Sequence, residues 1–174
     1  TAAVTLNPLL SEILKTPDAH KVFDSSKIPG EIIDLLVVNT NTLEQNPNLG
    51  KALAGAWYEI MDVMANDDAQ GKSAKNSMAA AAGTDLTGFE SQLKTTKMFY
   101  EASDALDFSL SDHLIKTMER VAGFSFEHGL LGESAAHAGY IGIAYPNQKV
   151  SGDTANIKFR FNSEYIRLAA EKAL

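Results

Sequence analysis

Asp34 is the residue whose surroundings ask most of it. It interrupts residues 32–38 (Ile-Ile-Asp-Leu-Leu-Val-Val), a run in which every other residue is apolar. Burying an unpaired carboxylate in such a segment costs several kcal/mol. A carboxylate here therefore meets a donor or cation of the protein, or sits at an open cleft where a ligand supplies one. The structural alternative is an aspartate that accepts hydrogen bonds from loop donors such as Ser25 or Ser26. Asn7 is the second candidate, because the Asn7-Pro8 pair is expected to open a helix. A helix N-terminus presents free N–H groups and partial positive charge, which suit a carbonyl or an anionic group on a ligand. Capping alone also accounts for an asparagine at that position.

Other chemistry-bearing residues form no convincing constellation. His20, His113, His128 and His137 lie far apart and none has H-x-x-x-H spacing, so a metal site has little support. His128, beside Gly129, reads as a helix C-terminal residue favoured by the dipole. Ser91-Gln92-Leu93-Lys94 matches S-x-x-K, but the companion S-D-N and K-T-G motifs are absent. Gly129-Leu130-Leu131-Gly132 lacks the lysine and spacing of a phosphate-binding loop, and no G-x-G-x-x-G or nucleophile elbow occurs. Trp57 falls within a helical apolar pattern and is expected in the core rather than as a ligand platform.

The elements that would position these residues alternate between strand and helix at first and are then mainly helical. Residues 2–6 read as a short buried strand, expected to continue a fold whose upstream part is missing. Leu9, Leu10, Ile13 and Leu14 line one face of a two-turn helix that stops before Pro17. Residues 21–24 look like a short strand, and 25–30 a loop with a Pro-Gly turn. Residues 32–38 are the strongest strand, continuously apolar as in a parallel sheet covered on both faces. Asn46-Pro47 opens a helix carrying Leu49, Leu53, Ala56, Trp57, Ile60 and Met64 at helical spacing. An Ala-rich helix near 70–82 ends at Gly83, and Thr87 with Glu90 forms a capping-box pattern for another. Residues 97–100 are a possible strand. Ser109 or Ser111 starts a longer helix with Leu110, Leu114, Met118, Val121 and Phe126, closed by Gly129. Alternation at Ile157, Phe159 and Phe161 gives a half-exposed strand, and 163–174 a terminal helix.

Composition narrows the function classes. With 45% hydrophobic and 21% charged residues over 174 positions, the chain has the make-up of a globular protein. A net charge of -7 with scattered Lys and Arg argues against nucleic acid, since phosphate neutralisation needs clustered cations. The absence of cysteine removes disulfides, thiolate catalysis and cysteine-ligated zinc. No apolar run reaches the roughly 18 residues of a membrane-spanning helix.

The order of these segments resembles a known family. A strand ending in Asn7-Pro8 is followed by Val22-Phe23-Asp24-Ser25-Ser26-Lys27-Ile28-Pro29-Gly30-Glu31-Ile32-Ile33-Asp34-Leu35-Leu36-Val37-Val38, then by Asn46-Pro47 and Lys51-Ala52-Leu53-Ala54-Gly55-Ala56-Trp57-Tyr58-Glu59. This is similar to the C-terminal half of nitrate/sulfonate/taurine-class solute-binding proteins of ABC importers. The stretches Phe124-Ser125-Phe126-Glu127-His128-Gly129-Leu130-Leu131-Gly132 and Asn156-Ile157-Lys158-Phe159-Arg160-Phe161 resemble a subgroup associated with urea- and guanidine-carboxylating enzymes. The resemblance covers essentially the whole chain. It implies an α/β, helix-rich C-terminal portion of a two-lobed periplasmic-binding-protein type II fold. Residues 1–38 would be a remnant of one lobe plus a crossover strand, and 39–174 the C-terminal helical part of the other. It implies capture of a small polar solute by lobe closure, with Asp34, Asn7 and Glu31 binding the ligand, no cofactor, and a periplasmic or extracytoplasmic location. The expected partners are the solute, an ABC permease and ATPase, and an N-terminal half of the same protein, with no nucleic acid. Asp34 corresponds to a carboxylate that meets the ligand's ammonium group in taurine-binding relatives. Leu6 stands where relatives commonly carry Trp, so the floor of the pocket is expected to differ in shape.

Two alternatives accompany this reading. One is an enzyme on the same fold acting on a thiamine pyrimidine precursor, although the cysteine-rich motif of that branch is absent. The other is an interaction module without a small ligand, in which uncovered apolar faces make the chain dimeric or swapped, or one piece of a nicked longer chain.

Overall fold

The computed structural model describes residues 2–174. Within them lie helices α1 (Leu9–Ile13), α2 (Thr40–Gln45), α3 (Leu49–Ala65), α4 (Ala69–Ala81), α5 (Leu86–Leu93), α6 (Ala102–Leu110), α7 (Asp112–Glu127) and α8 (Glu164–Ala170). Strands β1 (Gly142–Ala144), β2 (Val150–Ser151) and β3 (Ile157–Arg160) form one small sheet in the order β2-β1-β3. The chain is thus mixed α/β and rich in helix, as its patterning predicts. It divides into two compact units, one formed by the chain up to Pro29 with Glu59–Tyr100, the other by Gly30–Tyr58 with Glu101–Leu174.

In the first unit the end of α3 precedes α4, which packs on α5. Met61, Met64 and Ala79 are buried. Asp68 caps α4 by accepting from the Gly71 N–H at 2.7 Å, and Asp85 caps α5 through Gly88 N–H at 2.7 Å. Asp85 is therefore the cap in place of Thr87, whose capping-box pattern falls inside the helix. Asp outcompetes Thr here because its carboxylate both accepts the free N–H and meets the positive end of the helix. Lys75 lies almost wholly buried, with its ammonium 3.4 Å from the Glu90 carboxylate. Gly83, with φ +71, ends α4 as its sequence position predicts.

The second unit has its core around Leu114, Ile143 and Tyr145, joined by Ile33, Phe108, Ile115, Met118, Phe159 and Phe161. Helix α7 contributes because Leu114, Thr117, Met118 and Val121 recur on one face, and Ser111 caps it by accepting from Leu114 N–H. β1 supplies Ile143, held between an antiparallel pairing with β2 and a parallel pairing with β3. Alternation along β3 turns Ile157 and Phe159 inward and Lys158 and Arg160 outward. Tyr145 stacks on Phe161 with ring centroids 5.5 Å apart, and its hydroxyl lies 3.0 Å from that of Ser151.

Four strand predictions are overturned or relocated. Residues 2–6, 21–24, 32–38 and 97–100 join no ladder, and the described sheet lies entirely in the last third of the chain. Val4, Leu6, Val22, Ile32, Leu36 and Val37 are all more than half exposed, rather than buried. The reason is that β-propensity measures fit to a paired, half-buried surface, and an extended segment without a neighbour has no partner for its backbone groups. Trp57 is 48% exposed and Ile60 45%, so the buried side of α3 passes instead through Gly50, Met61 and Met64. Helices α2 and α6 do not stand out in the apolar pattern; both are short, and Asn39 caps α2 through two N–H groups.

One acid-sensitive contact holds the first unit's loop. Asp24 takes a hydrogen bond from Lys21, and also from the hydroxyl and N–H of Ser26, which together hold its carboxyl well below the usual 3.8. The folded value is the lower one, so this contact contributes above about pH 3.8 and is lost as pH falls through the folded value. We expect the Asp24 carboxyl to stay ionised well below pH 3.8 when followed by carbon-detected NMR, and Lys21→Met to move its midpoint upward. An ordinary midpoint in the unmodified protein would show that the loop does not hold this arrangement.

Candidate functional site

Segment 30–34 is fastened to the second unit at three successive points. Gly30 adopts φ +83, in the left-handed region that glycine tolerates, and a side chain there would come within 2.7 Å of the His113 ring. Glu31 forms an ion pair with Arg120, whose guanidinium also donates to Thr117 Oγ1 at 3.1 Å. Ile33 inserts against the Leu114–Ile143–Tyr145 cluster. His113, Thr117 and Arg120 sit at i, i+4 and i+7 of α7, which places all three along one side of that helix. The Glu31–Arg120 pair is partly solvated and is worth at most about 1 kcal/mol; its role is to orient the segment.

Asp34 follows Ile33 directly and is exposed. Among the described residues no side chain hydrogen-bonds to it or pairs with it. The burial cost expected of an aspartate within a buried strand is therefore not incurred, because the strand itself does not form. Ser25 and Ser26 are not its partners either; Ser26 serves Asp24. What remains is a free carboxylate on a backbone pinned by its neighbour Ile33, next to the exposed apolar residues Leu35, Leu36 and Val37. Such a group accepts hydrogen bonds or takes a cationic group at little desolvation cost to itself.

Asn7 belongs to the first unit. Its Oδ1 accepts from the Ser11 hydroxyl at 2.7 Å, and its Nδ2 lies 3.4 Å from Thr95 Oγ1. Pro8, not Asn7, is the capping residue of α1, and no side chain caps that helix. The side chain is committed to Ser11, so the expected cap does not form; a five-residue helix also carries too little dipole to draw an anion. Glu31 is likewise engaged, by Arg120. Of the three expected ligand contacts, Asp34 alone has both carboxylate oxygens uncommitted.

Arg120 does not stand out in the sequence. Its pairing with Glu31 spans 89 positions, and the one local signal is its place three residues after Thr117 on α7. His128 Nδ1 lies 2.9 Å from the Phe124 carbonyl, and its ring stacks on Phe124 at 4.0 Å. Among the described residues no group of three or more His, Asp and Glu is placed to hold a metal ion. No helix among them is long and apolar enough to cross a membrane. No protein-family model, curated protein or solved structure matches this chain.

Proposed function

We propose that this chain is part of the solute-binding component of an ABC importer, the C-terminal portion of a two-lobed fold that closes on a small polar solute. Asp34 would take the solute's ammonium, guanidinium or urea-like N–H groups, while taurine-, sulfonate- and nitrate-like solutes are the other class the resemblance brings. The observation that carries this reading is the exposed, unpartnered Asp34 carboxylate on a segment fixed by Ile33 and by the Glu31–Arg120 pair. Rigid presentation of an uncommitted acceptor is what a binding site needs and a merely solvated aspartate does not. Exposed Ile32, Leu36 and Val37 of the second unit also agree with a surface that further protein covers.

Calorimetry with amines, urea- and guanidinium-bearing solutes, taurine, sulfonates and nitrate tests the proposal. Asp34→Asn keeps the shape and removes the charge. We expect it to weaken binding of a cationic solute roughly tenfold, the value of one charge-assisted hydrogen bond, and to leave the melting temperature in place. Saturable binding by no member of the panel, or equal affinity in both proteins for every solute bound, would remove Asp34 from the site.

A second reading rests on the same exposed residues. If the apolar face around Ile32, Leu36 and Val37 serves another protein chain, the protein is an interaction module and associates in solution. Light scattering separates the two, since a monodisperse monomer that binds a solute supports the first reading alone.

A further inference from the structure

β3 ends at Arg160, and the chain turns through Phe161, Asn162 and Ser163 into α8. In this turn the second unit carries an open depression of about 490 Å³. Arg160 and Arg167 both line it, with Asn147, Asn162 and Ser163. The alternation of β3 sends Arg160 away from the core-facing Phe159, and Arg167 lies one helical turn beyond Glu164 on α8. Among the described residues neither guanidinium takes part in an ion pair, although Glu164 lines the same depression.

Donors are prominent on this rim, with the Glu164 carboxylate as its one charged acceptor. A guanidinium has donors and no acceptor. Asn162 uses its side-chain oxygen to accept from Glu164 N–H at 2.8 Å, which leaves its amide N–H groups as the available part. Two guanidiniums set against one carboxylate give the depression a net positive charge in a protein of net charge -7. Planar, donor-only forks of this kind match the oxygen geometry of carboxylates, sulfonates and phosphates.

We infer that the depression between β3 and α8 binds a small oxyanion, with Arg160 and Arg167 as the charged contacts and Asn162 as a neutral donor. The site is separate from Asp34 in chemistry as well as in sequence: one takes negative groups, the other positive. It stands whether or not the proposed solute-binding role does.

Titration of the whole chain with acetate, methanesulfonate and inorganic phosphate at low ionic strength, followed by calorimetry and by NMR of the Arg160 and Asn162 signals, tests this. The expected result is saturable binding of at least one of these anions that weakens as salt is added. Arg160→Gln and Arg167→Gln should each weaken it roughly fivefold, as for an exposed charge pair, and the double substitution should abolish it. Glu164→Gln should tighten it. No saturable binding by the unmodified protein would overturn the inference. So would unchanged binding in a double variant whose circular dichroism matches the parent.

Discussion

Leu114→Ala is expected to cost the second unit about 2–5 kcal/mol, the range for deleting a fully buried leucine side chain. Leu114 is 1% exposed and sits at the centre of the cluster that joins α7 to β1 and to Ile33. Its removal leaves a void that Ile143 and Tyr145 cannot fill, since both are held by neighbours: Ile143 by pairing on both sides of β1, Tyr145 by Phe161 and Ser151. Leu36→Ala makes the same chemical change at a position that is 58% exposed and is expected to cost no more than about 0.5 kcal/mol. Urea unfolding of both variants, read by far-ultraviolet circular dichroism, measures the difference. Comparable losses would mean that residues 32–38 are buried after all, as their apolar run predicts. Because Ile33 packs against the cluster to which Leu114 belongs, the first variant should also loosen Asp34 and weaken any solute it holds.

Gly71→Ala is expected to destabilise the first unit by about 1–3 kcal/mol, the usual cost of overpacking. At an unobstructed helical position the same change would stabilise by about 0.5–1 kcal/mol, because alanine loses less conformational freedom on folding. The obstacle is backbone. A Cβ at Gly71 would lie 2.1 Å from the Asn66 carbonyl oxygen and 2.7 Å from that of Val63, neither of which can rotate away as a side chain would. The Asp68 cap on Gly71 N–H holds the first turn of α4 in place, so relief requires moving α4 from the end of α3. Gly123, inside α7, supplies the contrast, because a Cβ added there would meet nothing within 4 Å. Thermal unfolding of Gly71→Ala and Gly123→Ala should show shifts of opposite sign. A gain in both would mean that the start of α4 lies farther from the end of α3 than these distances require.

The types of the candidate residues were legible in the sequence, and their surroundings were not. An aspartate inside an apolar run stands out in any reading of residues 32–38, and Asp34 is exposed with no side-chain partner among the described residues. The burial argument for it does not hold. Burial would have forced a partner, whereas the residue is exposed and unpartnered, so its candidacy rests on being fixed and free rather than on being strained. Asn7 shows the opposite case. The Asn-Pro pair is visible in sequence, but the Ser11 hydroxyl four residues on claims the side chain, and α1 is too short to make its end a binding pole.

What the sequence by itself determined is local. Helices α3, α4 and α7, the glycine stops at Gly83 and Gly129 and the alternation of β3 all follow from spacing and capping chemistry within a few residues, while the choice of Ser111 over Ser109 as the α7 cap does not. The helix-rich α/β class follows from their sum. Tertiary structure decided which apolar segments find partners. Residues 32–38 have the composition of a central strand and 142–144 only three residues of one, yet the latter pair on both sides and the former do not. Strand formation requires a neighbouring edge that no local pattern encodes. The same holds for the Glu31–Arg120 pair and for the depression that Arg160 and Arg167 both line, each fixed by how elements approach rather than by what any one of them contains.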